Sequence, residues 1–188
     1  MYLPQYLADE LGVSKGWYEE NATSNDDFSK CLNDEELKFG YGIQVSASVG
    51  AGASVEFSGE VKTTPTIIDV ENFVAVGNCA PKALKLSEIV VNCDETGDGD
   101  GAGWQPLADS VVMLDENSSF VRKLVYLPQY LADELAVSKG WYEENATSAD
   151  DFSDCWNDKV EWTVNEGFQV SASAGAGATI TIKSALAK

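Results

Sequence analysis

The chain has 188 residues, with 12 lysines and arginines against 31 aspartates and glutamates and no histidine, so its formal net charge is −19. Such a charge repels phosphate backbones and anionic membrane surfaces, which excludes a nucleic-acid-binding protein. The lack of histidine removes the commonest general base and the commonest neutral metal ligand. A hydrophobic content of 44% is ordinary for a globular protein.

A near-identical internal repeat dominates the sequence. Residues 2–34, YLPQYLADELGVSKGWYEENATSNDDFSKCLND, return as residues 126–158 with four substitutions, and the likeness resumes in the QVSAS and GAGA segments that follow. The sequence therefore divides into block A (residues 1–63), block B (64–124) and block A′ (125–188). One and a half periods indicate a piece of a longer repetitive protein, or a product processed from one.

The first predicted element is a short helix over residues 5–11, in which Leu7 and Leu11 have i, i+4 spacing. Gly12 is expected to end this helix, and Ala136 at the equivalent place indicates that a left-handed cap is not required there. Residues 16–20 are expected to form a second helical turn.

From residue 37 onward apolar and polar side chains alternate, which is typical of strands. The pattern predicts a β-hairpin over residues 43–59 of block A, turning at Gly50-Ala51-Gly52. It predicts the equivalent hairpin over residues 168–182 of block A′.

Block B is also rich in strand patterns. Its predicted strands are residues 66–68, residues 73–76, one strand over residues 84–91, and a pair made by residues 111–114 and 120–125. Together these elements predict a mainly β fold with short helices. The expected architecture is antiparallel and β-sandwich-like, built from the repeat A–B–A′ and forming one or two compact units.

The acidic loop over residues 94–104, DETGDGDGAGW, resembles a calcium-binding loop. Its candidate ligands are Asp94, Asp98 and Asp100, because Ca²⁺ prefers several carboxylate and carbonyl oxygens. Gln105 stands where an EF-hand has its twelfth-position glutamate, and no flanking helices are predicted. A solvated turn of glycine and aspartate therefore stays open as the alternative.

Two identical aromatic pairs, Trp17-Tyr18 and Trp141-Tyr142, stand beside paired glutamates. Exposed aromatic rings can stack on sugars or on a neighbouring molecule, and a duplicated site would add avidity. The four residues are therefore candidate assembly or ligand contacts. The alternative is that they anchor short elements onto a sheet.

Residues 45–61, VSASVGAGASVEFSGEV, resemble in composition the small-residue strands of pore-forming toxins, notably the perforin-like and aerolysin-like families. That resemblance implies a hairpin that changes environment at a membrane. An ordinary hairpin packed closely against another sheet is the alternative.

Four cysteines allow three disulfide connectivities, among them Cys79 with Cys93 and Cys31 with Cys155, or all four are thiols. Three glycosylation sequons begin at Asn21, Asn117 and Asn145. These features favour an extracellular or cell-surface location, with a protein shell inside an organelle as the alternative.

The repetition of one surface favours a non-enzymatic structural protein that self-assembles into an extracellular fibre, a surface coat or a protein shell. Its expected partner is itself, in a homo-oligomer or polymer, with no nucleic acid and no transmembrane segment. No catalytic residue is predicted, because no nucleophile motif, phosphate loop or Cys/His cluster is present. The alternatives are a secreted module that binds calcium or carbohydrate, and a pore-forming module at a membrane.

Overall fold

A computed structural model describes residues 1–19, 28, 30–43, 45–46, 52, 54, 62–78, 80–99, 103–114, 120–146, 151–163 and 166–183. The fold is mainly β, as predicted, with several antiparallel sheets and two α-helices among these residues. The chain divides into two compact units, Met1–Lys38 and Phe39–Lys188.

In the first unit, strand β1 (Tyr2–Leu3) pairs with β2 (Gly16–Trp17), and helix α1 (Gln5–Leu11) lies between them in sequence. The predicted helix is confirmed. Its amphipathic face places Ala8 in a small core with Leu3, Tyr18 and Phe28.

The predicted second helical turn is wrong, because Gly16 and Trp17 are extended in β2. The side chain of Asn33 holds this strand: its Oδ1 accepts a hydrogen bond from the Trp17 N–H at 3.1 Å, and its Nδ2 donates to the Lys15 carbonyl. A Cβ on Gly16 would lie 2.2 Å from Asn33 Oδ1, so this close approach requires glycine.

The second unit contains ten strands and one α-helix among the residues that the structure describes. They are β3 (Thr66–Val70), β4 (Asn72–Gly77), β5 (Leu84–Lys85), β6 (Ile89–Val91), β7 (Ser110–Leu114), β8 (Phe120–Leu127), α2 (Gln129–Leu135), β9 (Gly140–Glu143), β10 (Glu161–Trp162), β11 (Gly167–Ala172) and β12 (Ala178–Ile182). Leu86–Glu88 and Asp151–Ser153 form 3₁₀ turns.

These strands form antiparallel sheets, with the orders β4-β11-β7-β8-β9, β3-β12-β6 and β10-β5. Buried side chains of the five-stranded and three-stranded sheets share one hydrophobic core, which includes Val111 and Val170 from the former and Ile68 and Ile180 from the latter. On β8 and β9, Leu127 and Tyr142 belong instead to a smaller core with Ala132 of α2.

The predicted hairpin over residues 168–182 is wrong, although both of its strands exist. β11 pairs with β4 and β7, and β12 pairs with β3 and β6, so the two strands belong to different sheets. Alternation of apolar and polar residues is compatible with either arrangement, since it requires only that one face of each strand is buried. Here Val170 and Ile180 lie in the same core, although their strands belong to different sheets. The equivalent hairpin predicted over residues 43–59 lies mostly outside the described residues.

The predicted strand over residues 84–91 is interrupted by the 3₁₀ turn Leu86–Glu88. The Glu88 carboxylate accepts a hydrogen bond from the Lys85 N–H at 3.0 Å and binds Lys82 Nζ at 2.7 Å, which caps the turn. The other predicted strands of block B are confirmed, including the antiparallel pairing of β7 with β8, where Val111 lies opposite Leu124.

The end of helix α2 shows that the sequence interpretation of Ala136, that no left-handed cap is required there, is wrong. This residue takes the left-handed conformation at the helix end, with φ of 55°, as Gly12 does after α1 with φ of 69°. In both helices the N–H of the cap residue satisfies a carbonyl of the last turn. The alanine therefore keeps the cap despite the cost of its Cβ.

Candidate assembly site

Block A′ supplies an inner strand to each of the two larger sheets. β11 lies between β4 and β7, and β12 lies between β3 and β6, and all four flanking strands come from block B. We call the space between these flanking strands the slot. Since each inserted strand satisfies main-chain groups on two sides, block B and block A′ form one folding unit.

The connection between the inserted strands, residues 173–177, is held by a buried carboxylate of block B. Asp109 has only 2% of its surface exposed. Its Oδ1 accepts a hydrogen bond from the Ser173 N–H at 3.0 Å, and its Oδ2 accepts one from the Gln105 N–H at 2.7 Å. Both carboxylate oxygens are therefore satisfied by main-chain donors.

Asn92 and Gly103 hold the other end of this connection. The Asn92 side chain donates to the Gly177 carbonyl at 2.9 Å and accepts from the Thr179 N–H at 2.6 Å. A Cβ on Gly103 would lie 2.1 Å from the Gly177 carbonyl oxygen, so only glycine fits there. These contacts are all made to main-chain atoms of the connection. They therefore require small residues at the point of close approach, but no particular side chain.

Trp141 of block A′ covers the core next to the slot. It is 1% exposed, its indole N–H donates to the Leu86 carbonyl at 3.2 Å, and its ring meets Trp104 edge-on with centroids 5.9 Å apart. Tyr126 packs against it at 5.3 Å. The neighbouring Tyr142 is equally buried, so the structure places both aromatic residues of this predicted pair in the interior.

The equivalent residues of block A have different surroundings. Trp17 is 46% exposed and Tyr2 is 51% exposed, although their tilted rings contact each other with centroids 5.2 Å apart, close to the 5.3 Å of Tyr126 and Trp141. Tyr18 is buried beside Phe28. Of the four predicted contact residues, Trp17 is therefore the one that the structure leaves accessible to a partner.

Apolar side chains further along block A are also exposed. Ile43 and Val45 each have 51% of their surfaces exposed. Their sequence equivalents in block A′, Phe168 and Val170, are 3% and 0% exposed. Aligning the two copies shows which residues correspond, but only the structure shows that one set is buried and the other is not.

Residues Gly40–Gly42 of block A lie along the outer edge of β4. Tyr41 forms an antiparallel bridge with Val76, the Gly42 N–H donates to the Ala75 carbonyl at 2.8 Å, and the Gly77 N–H donates to the Gly40 carbonyl at 2.8 Å. β11 and residues 40–42 therefore pair with opposite edges of β4.

The acidic loop is organised by its own first residue. Asp94 accepts hydrogen bonds from the N–H groups of Gly99, Gly97 and Thr96 at 2.8, 2.8 and 2.9 Å, and these bonds hold the pKa of its carboxyl below the ordinary value. Of the other predicted ligands, Asp98 is described and Asp100 lies outside the described residues. Within the described part of the chain no group of three acidic or cysteine side chains is placed to hold a metal ion. Calcium binding here stays a prediction.

Three of the four cysteines are described, and Cys31, Cys93 and Cys155 carry free thiols, whereas Cys79 lies outside the described residues. Burial, with the nearby charge of Glu95 next in importance, raises the pKa of the Cys93 thiol to about 12. This thiol therefore stays protonated, and hence a poor nucleophile, at neutral pH.

Comparison with known proteins finds no matching family model, no similar curated protein and no similar solved structure. Among the described residues no helix has both the length and the apolar character needed to cross a bilayer.

Proposed function

We propose that the protein is a non-enzymatic structural repeat protein that self-assembles through its duplicated blocks. The observation that supports this most strongly is the contrast between the two copies: Trp141, Phe168 and Val170 of block A′ are buried, whereas their sequence equivalents Trp17, Ile43 and Val45 in block A are exposed. Apolar residues that are exposed in one copy of a repeat and buried in the other indicate an interaction surface whose partner is not bound.

The proposed architecture is an antiparallel β-sandwich made by block B with block A′, within an internal repeat A–B–A′. The shared core of the five-stranded and three-stranded sheets supports this arrangement. In the assembly, the exposed apolar residues of block A pack against the surface of a neighbouring copy. Head-to-tail contacts of this kind generate open polymers, such as a fibre, a surface coat or a shell.

The net charge of −19 has a role in this proposal. Mutual repulsion keeps separate chains apart at low ionic strength, and salt or divalent ions reduce that repulsion. We therefore propose that association strengthens with ionic strength. The location, outside the cell or inside an organelle, remains part of the proposal.

A second candidate function is carbohydrate binding by block A. The exposed Tyr2 and Trp17 rings, with centroids 5.2 Å apart, favour it because exposed aromatic rings stack on sugar faces. Trp141 is buried, so the second copy does not add an equivalent exposed pair. A lectin would stay small and respond to sugars, whereas an assembling protein forms ordered polymers without any ligand.

The experiment is light scattering on a sizing column, with negative-stain images of the same fractions, with and without millimolar calcium. Regular sheets, tubes or fibres would support the structural function, and a calcium requirement would support a role for Asp94 and Asp98. Particles of 20.2 kDa in both conditions would contradict self-assembly, and sugar binding would then be tested by titration with Trp17→Ala as control.

A further inference from the structure

Glu95 of the acidic loop joins block B to block A′. Its Oε1 accepts a hydrogen bond from the Tyr126 hydroxyl at 2.8 Å, its Oε2 accepts one from the Gln129 N–H at 2.8 Å, and Lys139 Nζ lies 3.6 Å from Oε2. Its carbonyl accepts a further hydrogen bond from the Tyr130 N–H at 3.2 Å. One glutamate therefore binds a phenol, an ammonium group and two main-chain donors of block A′, and the bonds to its carboxylate are of the strong, charged kind.

Aromatic contacts accompany this glutamate. A Cβ on Gly97 would lie 3.0 Å from the Tyr130 ring, so the main chain of the acidic loop passes close to that ring. Trp104, at the end of the same loop, meets the Trp141 ring edge-on with centroids 5.9 Å apart. The acidic loop therefore binds block A′ through one carboxylate and through contacts with aromatic rings.

Block A carries the same groups. Its five equivalents of the block A′ residues that contact the acidic loop are identical in type, and we call them the contact set: Tyr2, Gln5, Tyr6, Lys15 and Trp17. Their local fold is also the same, since β1, α1 and β2 correspond to the end of β8, to α2 and to β9. The hydrogen bond from the Trp17 N–H to Asn33 corresponds to the one from the Trp141 N–H to Asn157.

The contact set is exposed, unlike its equivalents in block A′. Tyr2, Tyr6 and Trp17 have 51%, 66% and 46% of their surfaces exposed. Among the residues that the structure describes, none accepts a hydrogen bond from the Tyr2 hydroxyl, the Gln5 N–H or Lys15 Nζ. The donors that bind Glu95 in block A′ are therefore available in block A.

We propose that the contact set of block A is a binding site for a second acidic loop of the block B type, Asp-Glu-Thr-Gly, whose glutamate is bound by Tyr2, Gln5 and Lys15. The independent observation behind this proposal is the occupied copy: the same residue types in block A′ bind such a loop. The acidic loop of this chain is already bound to block A′, so the occupant comes from another B-type block. The site exists whether or not the protein polymerises, and the inference therefore goes beyond the proposed function.

The acidic loop is held mainly by contacts within itself. The Asp94 carboxylate accepts hydrogen bonds from the N–H groups of Thr96, Gly97 and Gly99. These contacts are all local in sequence, so the turn that presents Glu95 forms within a short segment. A short segment can therefore serve as the probe, and tethering it to the full chain raises its local concentration at the site.

The test attaches this segment to the complete chain. One variant carries the sequence of residues 92–99, with Cys93→Ser in the extension, before Met1. A Gly/Ser linker of about ten residues joins them and spans roughly 17 Å on average. The matched control has the same extension with Glu95→Gln in the extension alone. Hydrogen exchange of individual amides is followed by NMR at concentrations at which sedimentation gives the mass of one chain.

We expect the Gln5 and Tyr6 amides to exchange at least about threefold more slowly with the glutamate extension than with the glutamine extension. The Gln129 and Tyr130 amides are internal references, and their exchange should be the same in both proteins because their own loop stays bound. Equal exchange of the Gln5 amide in the two extended chains would overturn the proposal.

Substitutions in block A separate recognition by the contact set from a general effect of the added charge. Tyr2→Phe and Lys15→Gln each remove one donor from an exposed side chain, so neither should unfold the first unit. Each should abolish most of the slowing at the Gln5 amide. Glu10→Gln, at an exposed residue of α1 outside the contact set, should leave the slowing unchanged.

Full slowing in both Tyr2→Phe and Lys15→Gln would overturn the proposal, because the carboxylate would then lie elsewhere. Donor and site are in one chain in this experiment. A negative result therefore leaves self-assembly untouched, and a protein that forms no polymers can still give the positive result.

Discussion

Trp17 and Trp141 occupy equivalent positions in the two copies of the repeat and pair with equivalent tyrosines, yet 46% of Trp17 is exposed and only 1% of Trp141. The difference comes from block B, whose Trp104 ring and Leu86 carbonyl contact Trp141. The same local sequence therefore makes a core residue in one place and a surface residue in the other.

The first prediction concerns these two tryptophans. Trp141→Ala should lower the free energy of unfolding by about 3–5 kcal/mol, because it empties a buried site and removes the hydrogen bond to Leu86. Trp17→Ala should cost less than about 1 kcal/mol, since half of its ring already contacts water. Urea unfolding followed by circular dichroism measures both. Similar costs would contradict the assignment of one ring to the core and the other to the surface.

The second prediction concerns the cap of α2. Ala136→Gly should stabilise the protein by about 0.5–1 kcal/mol, because glycine adopts the left-handed conformation without the Cβ penalty. The reciprocal substitution Gly12→Ala places a Cβ at φ of 69° with open space around it and should destabilise the first unit by a similar amount. Thermal unfolding of both variants checks the pair, and a destabilised Ala136→Gly protein would contradict the left-handed cap.

The third prediction concerns the buried carboxylate that holds the connection between β11 and β12. Asp109→Ala should destabilise the second unit by about 2–3 kcal/mol, because the main-chain N–H groups of Ser173 and Gln105 lose a charged acceptor. Glu161, an exposed acidic residue of block A′, provides the control: Glu161→Ala should change the stability by less than about 0.5 kcal/mol. Equal effects would show that the Asp109 contacts contribute little.

A fourth prediction separates lack of space from backbone strain. Gly177→Ala meets no atom within 4 Å but must keep φ of 74°, so it should cost about 1 kcal/mol. Gly103→Ala would place its Cβ 2.1 Å from the Gly177 oxygen, and relief requires the backbone to move, so the cost should be several-fold larger, about 3 kcal/mol or more. Denaturant midpoints of the two variants give the comparison. A milder effect at Gly103 would contradict the close approach.

The fifth prediction concerns pH. Because the pKa of Cys93 in the folded protein is raised to about 12, above its ordinary value, the neutral thiol is favoured by folding. The corresponding stability is fully present below the unfolded pKa of about 8.5 and is lost as pH rises towards the folded pKa. The free energy of unfolding should therefore fall by about 1 kcal/mol or more between pH 8.5 and 10.5.

Cys93→Ala should flatten part of that decline, and Cys155→Ala, at another free thiol, is the control. Urea unfolding at a series of pH values measures the slopes. If Cys93→Ala leaves the slope unchanged, the buried thiol is not its source.

The sequence predicts the local elements of this protein well because they depend on local pattern. Helix α1 follows from the spacing of Leu7 and Leu11, and the pairing of β7 with β8 follows from two apolar runs separated by a turn. The conversion of residues 16–17 into a strand depends on Asn33, which is distant in sequence. The assignment of β11 and β12 to different sheets depends on block B, and alternation alone does not distinguish it from a hairpin.

The candidate site was predictable only in part. The duplication marks Trp17 and Trp141 from sequence alone, but which of them is exposed depends on where block B packs. Asp109 and Asn92 carry no motif, and their role follows only from main-chain atoms that folding brings to them. Asp94 looks like a metal ligand by composition, yet loop N–H groups bind its carboxylate oxygens.

The measurement that tests the central claim most directly is sedimentation of the full chain over a wide concentration range, beside a variant with Trp17→Ser, Ile43→Ser and Val45→Ser. If these exposed residues of block A contact a neighbouring copy, the mass of the unsubstituted chain should rise with concentration above 20.2 kDa, and the rise should be steeper at higher salt. The variant should stay at the mass of one chain with its stability nearly unchanged. A single-chain mass for the unsubstituted protein at every concentration and salt would contradict self-assembly.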